Sequence, residues 1–185
     1  MRILFATGNT HKVAEANKAG KKHRIAFERI SCPYPEVRSE SVKEIAEEGV
    51  KFVYTRVGKP VIVEDSGLFI QALDGFPGAY SSYVFGKLGN YGILRLMGGT
   101  GNRRAEFRSC VAYYDGETLK TFEGVVSGAI AEEARGDGGF GYDPIFMPEA
   151  SAKTFAEEPK VKERVSHRKK SVESFAAWIT SKRRP

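Results

Sequence analysis

The apolar run Val61-Ile62-Val63 leads straight into Glu64-Asp65-Ser66-Gly67, and this joint constrains the chain more than any other stretch. Three β-branched residues in a row read as a buried strand, and the loop beyond a strand's carboxyl end is a favoured place for ligands and catalytic groups. The strand is expected to end at the acids, where two carboxylates, a hydroxyl and a glycine make a place for a metal. While the strand persists, Glu64 and Asp65 point to opposite faces, so the two acids have different tasks. A plain surface pair of acids is the competing reading.

The chain has 185 residues, enough for one sizeable core or two lobes sharing a cleft. No stretch reads as a signal peptide and no apolar run is long enough to span a bilayer, which sets the expectation of a soluble, cytoplasmic protein without membrane partners. Cys32 and Cys110 form no CxxC pair and the three histidines are scattered, which argues against a structural zinc site. The formal net charge is +6, with basic clusters at Lys18–Arg24, Arg103–Arg108 and Lys160–Arg184. That balance suits anionic partners in general, nucleic acid or small phosphate esters alike.

Along the chain, Arg2–Ala6 reads as a strand, Gly8-Asn9 as a turn and Lys12–Ala19 as a helix. Ile25–Ile30 is a candidate second strand, after which Pro33 and Pro35 break regular structure. Ser41 with Glu44 has capping-box spacing, and Val42, Ile45, Ala46, Val50 and Val53 form a helical stripe. Leu68–Ala72 is open between helix and strand, Gly75-Phe76-Pro77-Gly78 is a constrained loop, and Tyr91–Met97 reads as a helix. Arg103–Tyr114, the Asp115-Gly116 turn and Leu119–Ile130 read as a β-ribbon, expected to form the second lobe. Val172, Phe175, Ala176 and Ile179 mark a last helix. Alternating helices and strands predict an α/β or α+β fold with the sheet bent or split around a cleft.

Four further groups could carry chemistry. Thr7-Gly8-Asn9-Thr10-His11-Lys12 joins the first strand to the first helix, where backbone N–H groups, a hydroxyl, an amide and an ammonium suit a phosphate; a capped helix with a surface lysine is the alternative. No GxxxxGK run is present, which disfavours an ordinary P-loop. Gly136-Asp137-Gly138-Gly139-Phe140-Gly141 satisfies G-x-G-x-x-G but leads into Tyr142-Asp143-Pro144 instead of a helix, so a dinucleotide fingerprint is rejected. The loop instead delivers Phe140, Tyr142 and Asp143 together, an aromatic to stack on a base and a carboxylate to accept a ring N–H, unless Phe140 is simply core. Lys162 and Ser166-His167-Arg168 gather donors for carbonyl or phosphate oxygens at a helix start, where the macrodipole disfavours cations. Glu36, in Pro33-Tyr34-Pro35-Glu36 and held by two prolines near a candidate cleft, is a metal ligand or a loop acid.

Taken in order, Thr7-x-Asn9-x-x-Lys12, Glu64-Asp65-Ser66-Gly67, Gly75-x-Pro77-Gly78-x-Tyr80-Ser81, Phe140–Phe146 and Ser166-His167-Arg168 resemble the inosine triphosphate pyrophosphatase family across nearly the whole chain. The resemblance implies one domain over residues 1–185, an elongated mixed α/β sheet with flanking helices and two lobes around a central substrate cleft. It also implies a homodimer that uses Mg²⁺ to convert ITP, dITP and XTP to the monophosphate and pyrophosphate, clearing deaminated purines from the nucleotide pool. By the same resemblance Thr7, Gly8, Asn9, Thr10, His11 and Lys12 hold the triphosphate, Glu36 and Asp65 serve the metal, and Asp65 is the proton acceptor. Ser66 contacts substrate, while Phe140, Gly141, Tyr142, Asp143, Lys162, His167 and Arg168 bind the base. One departure stands out: many relatives carry a lysine where this chain has Gly49, with Lys51 the nearest candidate to replace it.

Cleavage between the α- and β-phosphorus needs charge neutralised on several oxygens and a water aligned behind the α-phosphorus, which carboxylate-held Mg²⁺ and Asp65 would provide. Donors facing a 6-keto purine would leave the 6-amino group of adenine unsatisfied, so ATP is expected to be rejected. The alternatives are a pyrophosphatase for another modified nucleotide, or a basic nucleic-acid-binding module using the β-ribbon; no stable nucleic-acid binding is expected on the leading reading.

Overall fold

The computed structural model describes residues 1–35 and 37–182. In chain order the elements are β1 (Arg2–Ala6), α1 (Thr10–Gly20), β2 (Ala26–Ile30), α2 (Val42–Val57), β3 (Val61–Ile70), β4 (Pro77–Gly78), α3 (Ser81–Leu96), β5 (Arg104–Tyr114), β6 (Leu119–Ile130), β7 (Phe146–Pro148), α4 (Pro159–Val165) and α5 (His167–Ser181). The strands form one mixed sheet in the order β2-β1-β3-β5-β6-β7, with β4 paired to β3. β1 runs parallel to both β2 and β3, whereas β4 and β7 add antiparallel edges to β3 and β6. The mixed α/β sheet with flanking helices is the expected fold class.

Of the described residues, those within 1–65, 109–124 and 167–182 make one compact unit, and residues 66–108 and 125–166 a second. The first unit buries Phe5, Ile62, Val111, Phe122 and Phe175 in its core, and α1 packs on β2 and α5. The second buries Leu68, Ile93, Phe107, Phe146 and Phe155, with the Phe107 and Phe146 rings 4.7 Å apart edge to face. Aromatic pairs of this geometry add about 0.5–1.5 kcal/mol beyond the area they bury.

Three expectations need correction. β3 does not end at the acids: it continues through Glu64 and Asp65 to Ile70, settling Leu68-Phe69-Ile70 as strand. The β5–β6 ribbon is not a lobe of its own, because residues 109–124 at its turn belong to the first unit and its other ends to the second. The helix expected from Tyr91 begins ten residues earlier, at Ser81, and is broken at Gly89 (φ 58°, ψ −165°), which hid its first half from a continuous helical pattern. Capping of α2 is as expected on one side, since Ser41 Oγ accepts from the Glu44 N–H at 3.3 Å. The reciprocal half runs through Ser39, whose hydroxyl donates to Glu44 (2.6 Å) and accepts from the Ser41 N–H (2.9 Å).

Candidate active site

In the first unit the loop between β1 and α1 is built by its own side chains. Asn9 caps α1, its Oδ1 accepting from the N–H groups of His11 (2.9 Å) and Lys12 (3.4 Å), while its own N–H donates to Thr7 Oγ1 (3.1 Å). Gly8, Thr10 and His11 are exposed, so the amino end of an eleven-residue helix faces solvent beside Lys12, as a phosphate seat requires.

Lys12 reaches across to β3. Its Nζ donates to the Glu64 carbonyl (3.0 Å) and lies 3.0 Å from Glu64 Oε2. The Glu64 side chain is wholly buried, and its Oε1 accepts from Ser109 Oγ (2.7 Å) and faces Arg168 Nε at 3.2 Å. Ser171 stands behind Ser109, hydroxyl to hydroxyl at 2.8 Å, and shares its proton with the Arg168 carbonyl (3.0 Å). Arg168 is also paired through Nη1 with Glu15 Oε2 on α1 (2.5 Å). Burial pushes the Glu64 carboxyl upward, but Arg168, then Lys12, then the Ser109 hydroxyl outweigh it, and the group sits well below the usual carboxylate range. For Arg168, burial is likewise overcome by Glu64 and Glu15, which raise it further above its ordinary value. The basic start of α5, a misfit with the helix dipole on sequence alone, is thus compensated by two acids.

Asp65 is the next residue on β3 and therefore lies on the opposite face, half-buried, with Ser66 after it. Of the two neighbouring acids, Glu64 is enclosed by cations and hydroxyls, and Asp65 is half-buried.

In the second unit Asp143 organises the other group. Its Oδ2 accepts from the Phe140 N–H (2.8 Å) and from Lys162 Nζ (2.7 Å), and that ammonium lies 4.2 Å from the Phe140 ring centroid. A Cβ on Gly139 would stand 2.1 Å from Asp143 Oδ2, so glycine is required beside this carboxylate. Asn90, just beyond the α3 break, donates to the Gly141 carbonyl (3.2 Å). Tyr142 faces inward, edge-on to Phe85 and donating to the Ser81 carbonyl (3.2 Å), so its side chain supports the loop from below.

The site residues therefore fall into two sets. Thr7 to Lys12, Asp65, His167 and Arg168 belong to the first unit, and Ser66, Phe140 to Asp143 and Lys162 to the second. Glu36 lies outside the described residues. Glu15, Ser109 and Ser171 were not singled out by sequence reasoning, and Glu64 was singled out beside Asp65 without its partners. Glu64 had a signal in its adjacency to Asp65; the two serines and Glu15 become visible only when α1, β5 and α5 meet. At the departure from the family pattern, a Cβ on Gly49 would come within 2.6 Å of the Tyr34 ring, and Lys51 pairs with Glu48 (2.7 Å) on the exposed side of α2. The Tyr34 ring occupies the space that a side chain at position 49 would take.

Among the described residues no cluster of three or more His, Cys, Asp or Glu forms a ready-made metal cage. Mg²⁺ is ordinarily held by one or two carboxylates with substrate phosphates and waters completing the shell, so Asp65, a hard oxygen donor on the same strand as the residue gripping Lys12, fits that ion.

An open mixed α/β sheet, with a side-chain-built loop at the start of its first helix and two adjacent acids on β3, places the chain in the class of mixed α/β proteins. The chain belongs to the Ham1 family, whose model matches residues 3–178. It is 53% identical over 182 residues to the dITP/XTP pyrophosphatase of Methanopyrus kandleri, covering 96% of each chain, and 47% identical to that of Thermococcus kodakarensis, covering 97% of each. Among solved structures it resembles the HAM1 protein of Coxiella burnetii (TM-score 0.86, 30% identity, 98% and 99% covered) and the Ham1 protein of Staphylococcus aureus (TM-score 0.84, 28% identity, 99% and 100% covered).

Proposed function

We propose that this chain is a nucleoside triphosphate pyrophosphatase that hydrolyses dITP, ITP and XTP to the monophosphate and pyrophosphate, acting as a Mg²⁺-dependent homodimer on the cytoplasmic nucleotide pool. The relatives named dITP/XTP pyrophosphatase support the reaction. The observation that carries the mechanism is the commitment of Glu64 to Lys12 and Arg168, which supports Asp65 as the proton acceptor.

The amino end of α1, with the Lys12 ammonium, holds the triphosphate oxygens. Glu64 grips Lys12 through carbonyl and carboxylate together, so the ammonium is aimed before substrate arrives and reorganises little during reaction. Asp65, with Glu36, would hold Mg²⁺, which when bound supplies charge neutralisation on the phosphates. Asp65 orients the attacking water and accepts its proton, and pyrophosphate leaves in line. Phe140 stacks on the base, and Lys162, His167 and Arg168 donate to a 6-keto purine that adenine cannot mimic.

Pyrophosphate release from ITP, XTP, dITP, ATP and GTP, measured with Mg²⁺ and with a chelator, tests the reading. Metal-dependent turnover confined to ITP, XTP and dITP is expected. Equal turnover of all five would overturn the base-reading roles, and no turnover of any would overturn the proposal.

A further inference from the structure

The break in α3 at Gly89 falls one residue before Asn90. Its φ of 58° with ψ of −165° is a backbone conformation that glycine adopts and that a residue with a Cβ resists, yet nothing lies within 4 Å of where a Cβ would stand. Glycine is therefore kept there for the path of the backbone and not for space. The Asn90 side chain that follows does not serve the helix: its Oδ1 is buried and accepts no hydrogen bond among the described residues. Its Nδ2 instead donates to the Gly141 carbonyl at 3.2 Å, 51 positions further along the chain. A buried acceptor without a donor is destabilising, so stability alone does not account for an amide at this place.

Phe140 stands between two glycines in the left-handed region, Gly139 (φ 77°) and Gly141 (φ 63°). A chain flanked by glycines has little stiffness of its own, so its course depends on outside tethers. Two are present, one on each side of the ring: Asp143 Oδ2 accepts from the Phe140 N–H at 2.8 Å, and Asn90 holds the Gly141 carbonyl. We propose that Asn90 is a positioning residue for base binding: turned out of helical register by the break at Gly89, its amide fixes the Gly141 carbonyl and so sets the plane of the Phe140 ring for stacking on a purine. This rests on the reading of Phe140 as the base-stacking residue. Stacking depends on the angle and offset of the two rings, so a loosened loop weakens the hold on the base and leaves the hold on the phosphates intact.

The test compares Asn90→Asp, which keeps the shape and removes the donor, with Asn90→Gln, which keeps the amide, and with Gly89→Ala, which opposes the break without touching Gly141. For each, kcat and KM are measured with ITP, together with the inhibition constant of inorganic tripolyphosphate, which offers phosphates and no base; melting temperature is the control on folding. Asn90→Asp and Gly89→Ala are expected to raise KM for ITP about five- to tenfold, with kcat within about threefold and tripolyphosphate inhibition unchanged. Asn90→Gln should stay closer to the parent than Asn90→Asp. A lowered melting temperature with KM unchanged would show Asn90 to be structural only, and an equal rise in KM and in the tripolyphosphate constant would put the effect on the phosphates; either result overturns the inference. If Asn90→Asp fails to fold, Asn90→Ala decides by the same readouts. Absence of ITP turnover in the unaltered protein would instead overturn the functional reading, and the inference with it.

Discussion

Burial alone would make the Glu64 carboxyl harder to ionise, and the cations around it reverse that result. The stability this acid contributes is complete above the pH where an ordinary glutamate titrates, about 4.3, and is lost as pH falls through its lower folded value. A shallower decline of stability below roughly pH 4.3 is therefore expected for Glu64→Gln than for the parent, seen in urea midpoints measured along a pH series. At neutral pH the same substitution leaves Arg168 and Lys12 without their shared anion and should cost about 3–5 kcal/mol. Asp65 behaves oppositely: Asp65→Asn should lower kcat about 10²–10⁴-fold while the melting temperature changes little. An unfolded Asp65→Asn protein, or one with near-parent turnover, would refute the division between the acids. From sequence, the division was visible in the alternation of a strand; the identity of the buried partner cations was not, because Lys12, Arg168 and Ser109 lie 52, 104 and 45 positions away in the chain.

At the scale of elements, what could be read was what is local. Ser41 caps α2 as its spacing said, and Ser41→Ala should cost about 1 kcal/mol, lowering the melting temperature by about 2–4 °C. The ribbon turn at Asp115 also follows from local chemistry, its Oδ1 accepting from the N–H groups of Glu117 and Thr118. Elements decided by distant packing were misjudged: β3 runs on through two acids because Glu64 finds cations and Ser66-Gly67 lead on to a pairing with β4. α4 and β7 went unnoticed because each is short and supported by its neighbours. The Gly49 departure belongs here too. Restoring the family residue with Gly49→Lys must displace the Tyr34 ring, and overpacking of this kind should cost about 1–3 kcal/mol, measured as a lowered urea midpoint. An unchanged midpoint would mean that Tyr34 moves aside without cost.

For the whole molecule the relevant quantity is its formal net charge of +6 set against a highly anionic substrate. None of that excess resides in the Lys12–Glu64–Arg168–Glu15 group, where the charges cancel, so the group contributes little to attraction at long range. The surplus lies on exposed lysines and arginines, whose field is screened beyond about 10 Å at 0.1 M salt. The encounter with a nucleoside triphosphate should therefore weaken with salt while the chemistry, performed by buried and prealigned groups, should not. Raising NaCl from about 0.05 to about 0.5 M is expected to lower kcat/KM for ITP several-fold with kcat nearly constant. The same titration separates an enzyme from a basic nucleic-acid-binding module, for which salt would release a bound oligonucleotide with a steep log–log slope of about −0.7 per phosphate contacted. Salt-insensitive kcat/KM, or tight oligonucleotide binding at physiological salt, would show that the surface charge serves something other than the capture of a small phosphate ester.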